Sequence, residues 1–167
     1  MEMEFCMKKR WSVYILIGVL FGVIDFYYQE YTSGFVTSTA MWFVVAWGIW
    51  LVPAIPVVTY ESKVSGSRSM SALANVLTWG VSVISYYLYM FFKLVFIGQA
   101  SMQFLHISNR HDPNYLSNIK SIFWGDVKDG IFEWIGIAVI GGFITGGLIS
   151  HIYLKLRKTA ASELDSI

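Results

Sequence analysis

The sequence predicts an all-α integral membrane protein in which four transmembrane helices form an antiparallel bundle, with a partly helical outer loop between the third and fourth. Three observations lead there. Of 167 residues, 56% are hydrophobic and only 14% charged, against about a quarter charged in soluble domains. Apolar runs at residues 11–29, 35–58, 71–97 and 131–154 cover more than half of the chain. Each run is long enough for a bilayer core of about 30 Å at about 1.5 Å per helical residue. The runs also lack the in/out alternation of a barrel strand, so their β-branched and aromatic residues read as helix. Residues 1–167 are thus expected to be a single membrane domain. A net charge of +1 supplies no basic field for nucleic acid, and the lone Cys6 excludes an internal disulfide and a CxxC pair.

The first run follows Lys8-Lys9-Arg10, as in a secretory signal peptide. It is expected to be a retained span, because it carries Asp25 and ends in Phe26-Tyr27-Tyr28 instead of a small-residue cleavage site. Gly18 and Gly22 form a GxxxG, and Tyr14, Asp25 and Gln29 share that face. Thr32-Ser33-Gly34 makes the first turn. The second run contains Pro53 and Pro56, which predict a bend before its exit at residues 57–60. A second turn is expected over residues 61–67.

In the third run Asn75, Thr78, Ser82, Ser85, Tyr89 and Lys93 recur every three or four residues and define one polar face. The stripe lines either an aqueous path or a helix interface, since Ser and Thr can satisfy their own i−4 carbonyls. The loop over residues 98–130 is expected to cap the bundle. Within it, residues 117–127 place Ile119, Ile122, Phe123 and Val127 at helical spacing, with Ser117 as N-cap, Gly125 as a weakness and Trp124 as an anchor. Met102, Leu105 and Ile107 form an earlier apolar patch, and Asp112-Pro113 marks a turn. The fourth run repeats Gly142, Gly146 and Ser150 at four-residue spacing, which predicts a central or strongly packed helix. The glycine faces serve either packing within the subunit or homodimerisation.

Orientation follows from the cations near the helix ends. Lys8, Lys9, Arg10, Lys63, Arg68, Lys155, Arg157 and Lys158 fall on one side, against Arg110, Lys120 and Lys128 on the other. Both termini are therefore expected in the cytoplasm of a multi-pass protein of the cell membrane. Trp11 and Tyr60 would anchor the inner interface, and Tyr27, Tyr28, Tyr31 and Trp134 the outer one. Trp47, Trp50 and Trp79 lie deeper, where the indole N–H needs an interhelical acceptor.

An ionised carboxylate in hydrocarbon costs at least about 2.5–3.5 kcal/mol, so Asp25 needs a partner or a wet pocket. At about 1.5 Å per residue, Asp25 stands roughly 21 Å above Trp11 and Lys93 roughly 33 Å above Ser71. Both belong to the outer leaflet. Asp25, Lys93, Glu133 and Gln29 are accordingly the expected members of a polar outer vestibule, with Lys93 the first candidate partner of Asp25. The vestibule serves either ligand capture and transport or, as a buried ion pair, helix register.

No metal or other cofactor is expected. His106 and His111 are five residues apart, one more than a helical ligand pair needs, and Asp112 beside them completes no known motif. His151 has no opposing histidine for a haem. GxSxG, HExxH and a nucleotide loop are absent from the sequence, which leaves Asp25 and Glu133 as the candidates for acid–base chemistry. The leading functional expectation is a non-catalytic accessory or assembly subunit whose partners are the lipid bilayer and a homo-oligomer or larger membrane complex. The alternative is a small oligomeric transporter or ligand-binding protein that uses the vestibule.

Overall fold

The computed structural model describes residues 2–34, 38–98 and 111–164, and every regular element among them is helical. Helix α1 spans Glu2–Thr32, α2 Thr39–Gly48, α3 Leu51–Ser65 and α4 Arg68–Phe92, the last continued by a π-helical turn over Lys93–Ile97. After the connection that follows come α5 (Tyr115–Ile122), a second π-helical turn (Phe123–Val127) and α6 (Lys128–Leu164). Four stretches are long and apolar enough to cross a membrane: Met7–Thr32, Thr39–Ser65, Arg68–Ile97 and Tyr115–Ala160. Each contains most of one apolar run. Residues 35–37, where the second run was expected to begin, lie outside the described residues.

The second stretch is broken at Ile49 and Trp50, earlier than the bend expected near its exit. Pro53 has no N–H to give the Ile49 carbonyl, and its ring crowds the preceding turn. That carbonyl takes Val52 N at 3.0 Å instead, while Trp50 N reaches Trp47 O at 3.2 Å. Two i→i−3 links thus replace the regular ladder. Pro56 is accommodated inside α3.

The turn expected at residues 61–67 is shorter, because α3 runs on through Ser65. Gly66 ends it at φ 65°, a left-handed conformation that costs glycine little, and its N–H reaches Ser62 O at 3.1 Å. Ser67 then caps α4 by accepting from Met70 N at 3.4 Å. Glu61 and Ser62 therefore belong to a helix, and both are fully buried.

The connection between the third and fourth apolar stretches also differs from its expected form. Its helix starts at Tyr115, so Ser117 lies inside it and is not its N-cap. Asp112 organises the start instead: its Oδ1 accepts from Asn114 N at 2.7 Å and its carbonyl from Tyr115 N at 3.0 Å. Helix α5 passes through the π turn at Gly125 into α6 without a break at Gly130, so the second half of the expected loop extends the fourth span. Ile122 and Val127 are buried against Leu94 in the other π turn. Met102, Leu105 and Ile107 lie outside the described residues.

Helix α6 packs closely on α4 and α3, and α4 takes the centre, packed against α1, α3 and α6. It can do so because small or short polar residues occupy several of its sides: Ser71, Ala72, Ala74, Asn75, Thr78 and Ser82 are all buried. Along the α1 seam, a Cβ on Gly18 would stand 2.6 Å from Thr78 O, and one on Gly22 would meet Ser82 O, with Ser85 Cβ at 2.7 Å. Along the α6 seam, a Cβ on Gly142 would lie 3.3 Å from Val76 Cα, and one on Gly146 2.9 Å from Ala72 Cα. Both glycine faces are thus occupied inside the subunit.

Gly22→Ala and Gly146→Ala should each lower the thermal stability of the purified protein in detergent, by about 1–3 kcal/mol, because backbone atoms must move aside. Gly147→Ala, where an added Cβ meets nothing within 4 Å, should leave the melting temperature unchanged or raise it.

Candidate functional site

The polar residues of the spans divide into three groups. At one end, Glu61 on α3 is fully buried and receives Arg10 Nη1 at 3.3 and 3.2 Å on its two oxygens and Tyr14 Oη at 2.7 Å. Beside it, Ser62 lies 2.9 Å from Ser71 Oγ and 2.8 Å from Ser150 Oγ, with all three side chains fully buried. A hydroxyl has one proton. Ser71 gives its own to Ser67 O at 2.8 Å, so Ser62 donates to Ser71 and accepts from Ser150. This row joins α3, α4 and α6 through hydroxyls alone.

The second group is the stripe on α4, and it lies between helices of the same chain. Asn75 turns toward α6 and donates to Gly142 O at 2.9 Å. Thr78 donates to its own i−4 carbonyl, Ala74 O, at 2.9 Å, and Ser85 crosses to Val19 O on α1 at 2.8 Å. Tyr89 hydrogen-bonds the Tyr27 hydroxyl. Ser82 Oγ and Asn75 Oδ1 are buried with no hydrogen-bond partner among the described residues. Trp79 finds its interhelical acceptor in Trp50 O at 3.2 Å.

The third group lies toward the far end of α1 and is the candidate site. Asp25 is 4% exposed. It accepts hydrogen bonds from Gln29 Nε2, at a long 3.4 Å, and from the Trp50 indole. A cavity of about 170 Å³ opens beside it, lined by Asp25 and Gln29 of α1, Trp42, Ala46 and Trp47 of α2, Trp50 at the break, Val83, Tyr86 and Tyr87 of α4, and Trp134 of α6. All four apolar stretches contribute to this wall. Asp25 and Gln29 are four residues apart, which places both on one face of α1.

Lys93 does not join Asp25. Its ammonium lies 2.8 and 2.6 Å from the Glu30 carboxylate oxygens and over the rings of Phe26 and Tyr27, at 4.9 and 5.4 Å from their centroids. Asp25 and Glu30 are five residues apart, about 140° around the helix, so the lysine can serve the one and not the other. Glu133 is exposed and does not line the cavity, although its neighbour Trp134 does. Of the four residues expected in the vestibule, the structure brings Asp25 and Gln29 together and leaves Lys93 and Glu133 outside the wall. His106 lies outside the described residues, and no group of three His, Cys, Asp or Glu among those described could hold a metal ion.

No family model, no curated protein and no solved structure matches this chain.

The Glu61 site escaped the sequence reading, which put that residue in a turn. The signal was present: Ala54, Val57, Val58, Glu61 and Ser62 keep helical spacing up to Gly66, a residue type favoured just past a helix end. Removing one partner of a buried charge pair costs about 3–5 kcal/mol, whereas exposed pairs contribute about 0–1 kcal/mol. Glu61→Ala should therefore lower the unfolding temperature in detergent far more than Glu30→Ala, because the Glu61 side chain is 0% exposed and that of Glu30 is 40% exposed.

Proposed function

We propose that this chain is a multi-pass protein of the cell membrane, an antiparallel four-helix bundle with both termini in the cytoplasm, that captures a small ligand in an outer-leaflet pocket around Asp25. The observation that carries the reading is the buried Asp25 carboxylate on the wall of an aromatic cavity to which all four apolar stretches contribute. Ligand pockets are mostly apolar concavities with a few convergent polar groups, and an acidic side chain at membrane depth is a functional candidate in its own right. Glycine seams offer less support for an accessory subunit, since the faces that such a role would present to a partner are closed within the chain. The α4 stripe favours capture over continuous conduction, because its groups meet α1 and α6 and do not line one open path.

The contact order fits the bundle. Residue numbers rise together along the α1 and α4 seam, from Gly18 at Thr78 to Gly22 at Ser82. They run oppositely along α4 and α6, from Gly142 at Val76 to Gly146 at Ala72. An even number of crossings puts both termini on one side, and the cation bias makes that side the cytoplasm. Reporter domains active only in the cytosol should work when fused to either end. Activity at one end alone would overturn this topology.

The pocket itself is tested on protein in nanodiscs, with the emission of the cavity tryptophans as readout. A panel of small cationic, anionic and uncharged compounds, each about the size of a substituted benzene, should contain a class that changes the emission saturably. Ala46→Leu, which fills the cavity while keeping a good helix former, should abolish that response. A panel with no saturable member would refute ligand capture.

A further inference from the structure

We propose that the cavity beside Asp25 binds a small organic monocation, an ammonium group carrying methyl substituents. The inference rests on the pocket reading above and narrows its ligand.

Charge comes first. Among the described residues no Lys, Arg or His lies within ion-pair distance of Asp25, and its donors are neutral, the Gln29 amide at 3.4 Å and the Trp50 indole. The nearest cation on this part of α4, Lys93, is held by Glu30. A 4% exposed carboxylate thus faces a cavity that holds no protein counter-charge.

The walls then select the kind of cation. Four tryptophans (Trp42, Trp47, Trp50 and Trp134) and two tyrosines (Tyr86 and Tyr87) surround the space. Aromatic faces attract cations by their quadrupole, most strongly in a desolvated setting, and enclose methylated ammonium groups well. Divalent metal ions require about six or more oxygen ligands. The cavity offers the Asp25 carboxylate, the Gln29 amide and two phenols, so it suits a cation that gives up little hydration on entry. The same chemistry is visible nearby, where the Lys93 ammonium stands over Phe26 and Tyr27.

Size sets the upper limit. A dry cavity of about 150 Å³ accommodates benzene, and this one is about 170 Å³. Tetramethylammonium and choline meet that limit, and tetrabutylammonium does not. The choline group could come free from solution or as the headgroup of a lipid, and both present the same trimethylammonium.

The test uses full-length protein in phosphatidylglycerol nanodiscs, titrated with tetramethylammonium and choline while the tryptophan emission is followed. Saturable binding is expected for both, with none for tetrabutylammonium. Binding should be weaker by about tenfold or more for neohexyl alcohol, the uncharged isostere of choline in which carbon replaces nitrogen. Asp25→Asn should weaken choline binding by a similar factor while leaving the isostere unchanged. Trp42→Leu, at an exposed wall position that does not threaten folding, should weaken choline several-fold and serves as the second variant. Equal binding of choline and its isostere, indifferent to Asp25→Asn, would sink the cation assignment and leave ligand capture standing. Absence of binding by both ammonium ions would also overturn it, with the wider panel then deciding the pocket. Phosphatidylcholine nanodiscs separate the sources: a headgroup occupant would compete and lower the apparent affinity for free choline, and a free ligand would bind equally in both discs.

Discussion

The structure depends on how closely the backbone of α4 approaches two other helices at once. Where apolar side chains gain little by leaving one hydrocarbon surrounding for another, contact depends on close packing and interhelical hydrogen bonds. Gly18 and Gly22 let α1 reach the carbonyls of Thr78 and Ser82, and Gly142 and Gly146 let α6 reach Val76 and Ala72. The contribution of α4 is a set of buried Ala, Ser, Asn and Thr residues, with Trp79 and Val83 as its bulky buried side chains. Short separations then bring Asn75 onto Gly142 O and Ser85 onto Val19 O. The polar stripe and the glycines are two halves of the same seam, because neither hydrogen bond would reach across helices held apart by larger side chains.

The same economy appears where α3 joins the bundle. Ser150 donates to Ser62 and Ser62 to Ser71, so three helices are tied by hydroxyls that carry no charge. On the preceding residue of α3, the Glu61 carboxylate is given three donor contacts, from Arg10 twice and Tyr14 once. The costliest buried group at this end, the Glu61 carboxylate, is thus met by the most donors. Asp25 stands apart from that pattern. Its burial is comparable, yet its surroundings are indole and phenol rings, and its donors are the neutral Gln29 amide and Trp50 indole, with no cation among the described residues. That contrast between two carboxylates of one chain is a stronger argument for a ligand than the burial of Asp25 alone.

The sequence made the helices, their number and the packing faces legible, because length and small-residue spacing are properties of single segments. Gly18, Gly22, Gly142 and Gly146 could be singled out before any contact was seen, and Trp79 could be expected to need an acceptor. Pairings were harder to read. Lys93 has acidic residues on two faces of α1 within reach, and only the rotation of α1 decides between Asp25 and Glu30. Whether α4 or α6 is central likewise turns on how many sides of a helix are small, and α6 has its buried glycines, Gly142 and Gly146, along one seam while Gly147 is open. The end of α3 was misread because polar Glu61-Ser62-Lys63 looks like a turn until Gly66 is taken as the stop signal. The cavity could not be drawn at all, since its wall combines residues from α1, α2, the break at Trp50, α4 and α6 that share no spacing in the sequence.

The cavity depends on a break in the second stretch, at a residue of its own wall. Pro53 denies Ile49 its normal partner, and the chain loses its regular ladder at Ile49 and Trp50. Trp50 is then fixed to the centre of the molecule in two ways, since its carbonyl accepts from the Trp79 indole and its ring meets that indole edge-on at 5.0 Å between centroids. Helix α2 leaves from this fixed point, and from it come Trp42, Ala46 and Trp47 of the cavity wall. Had the second stretch continued as one regular helix, the directions of α2 and α3 would be set by a single axis. The break lets α3 pack by its small and polar residues, Ala54, Glu61 and Ser62, while α2 presents indoles to the space beside Asp25. A proline that touches no part of the cavity thus allows one apolar stretch to serve two environments, a tightly closed seam below and an open aromatic chamber above.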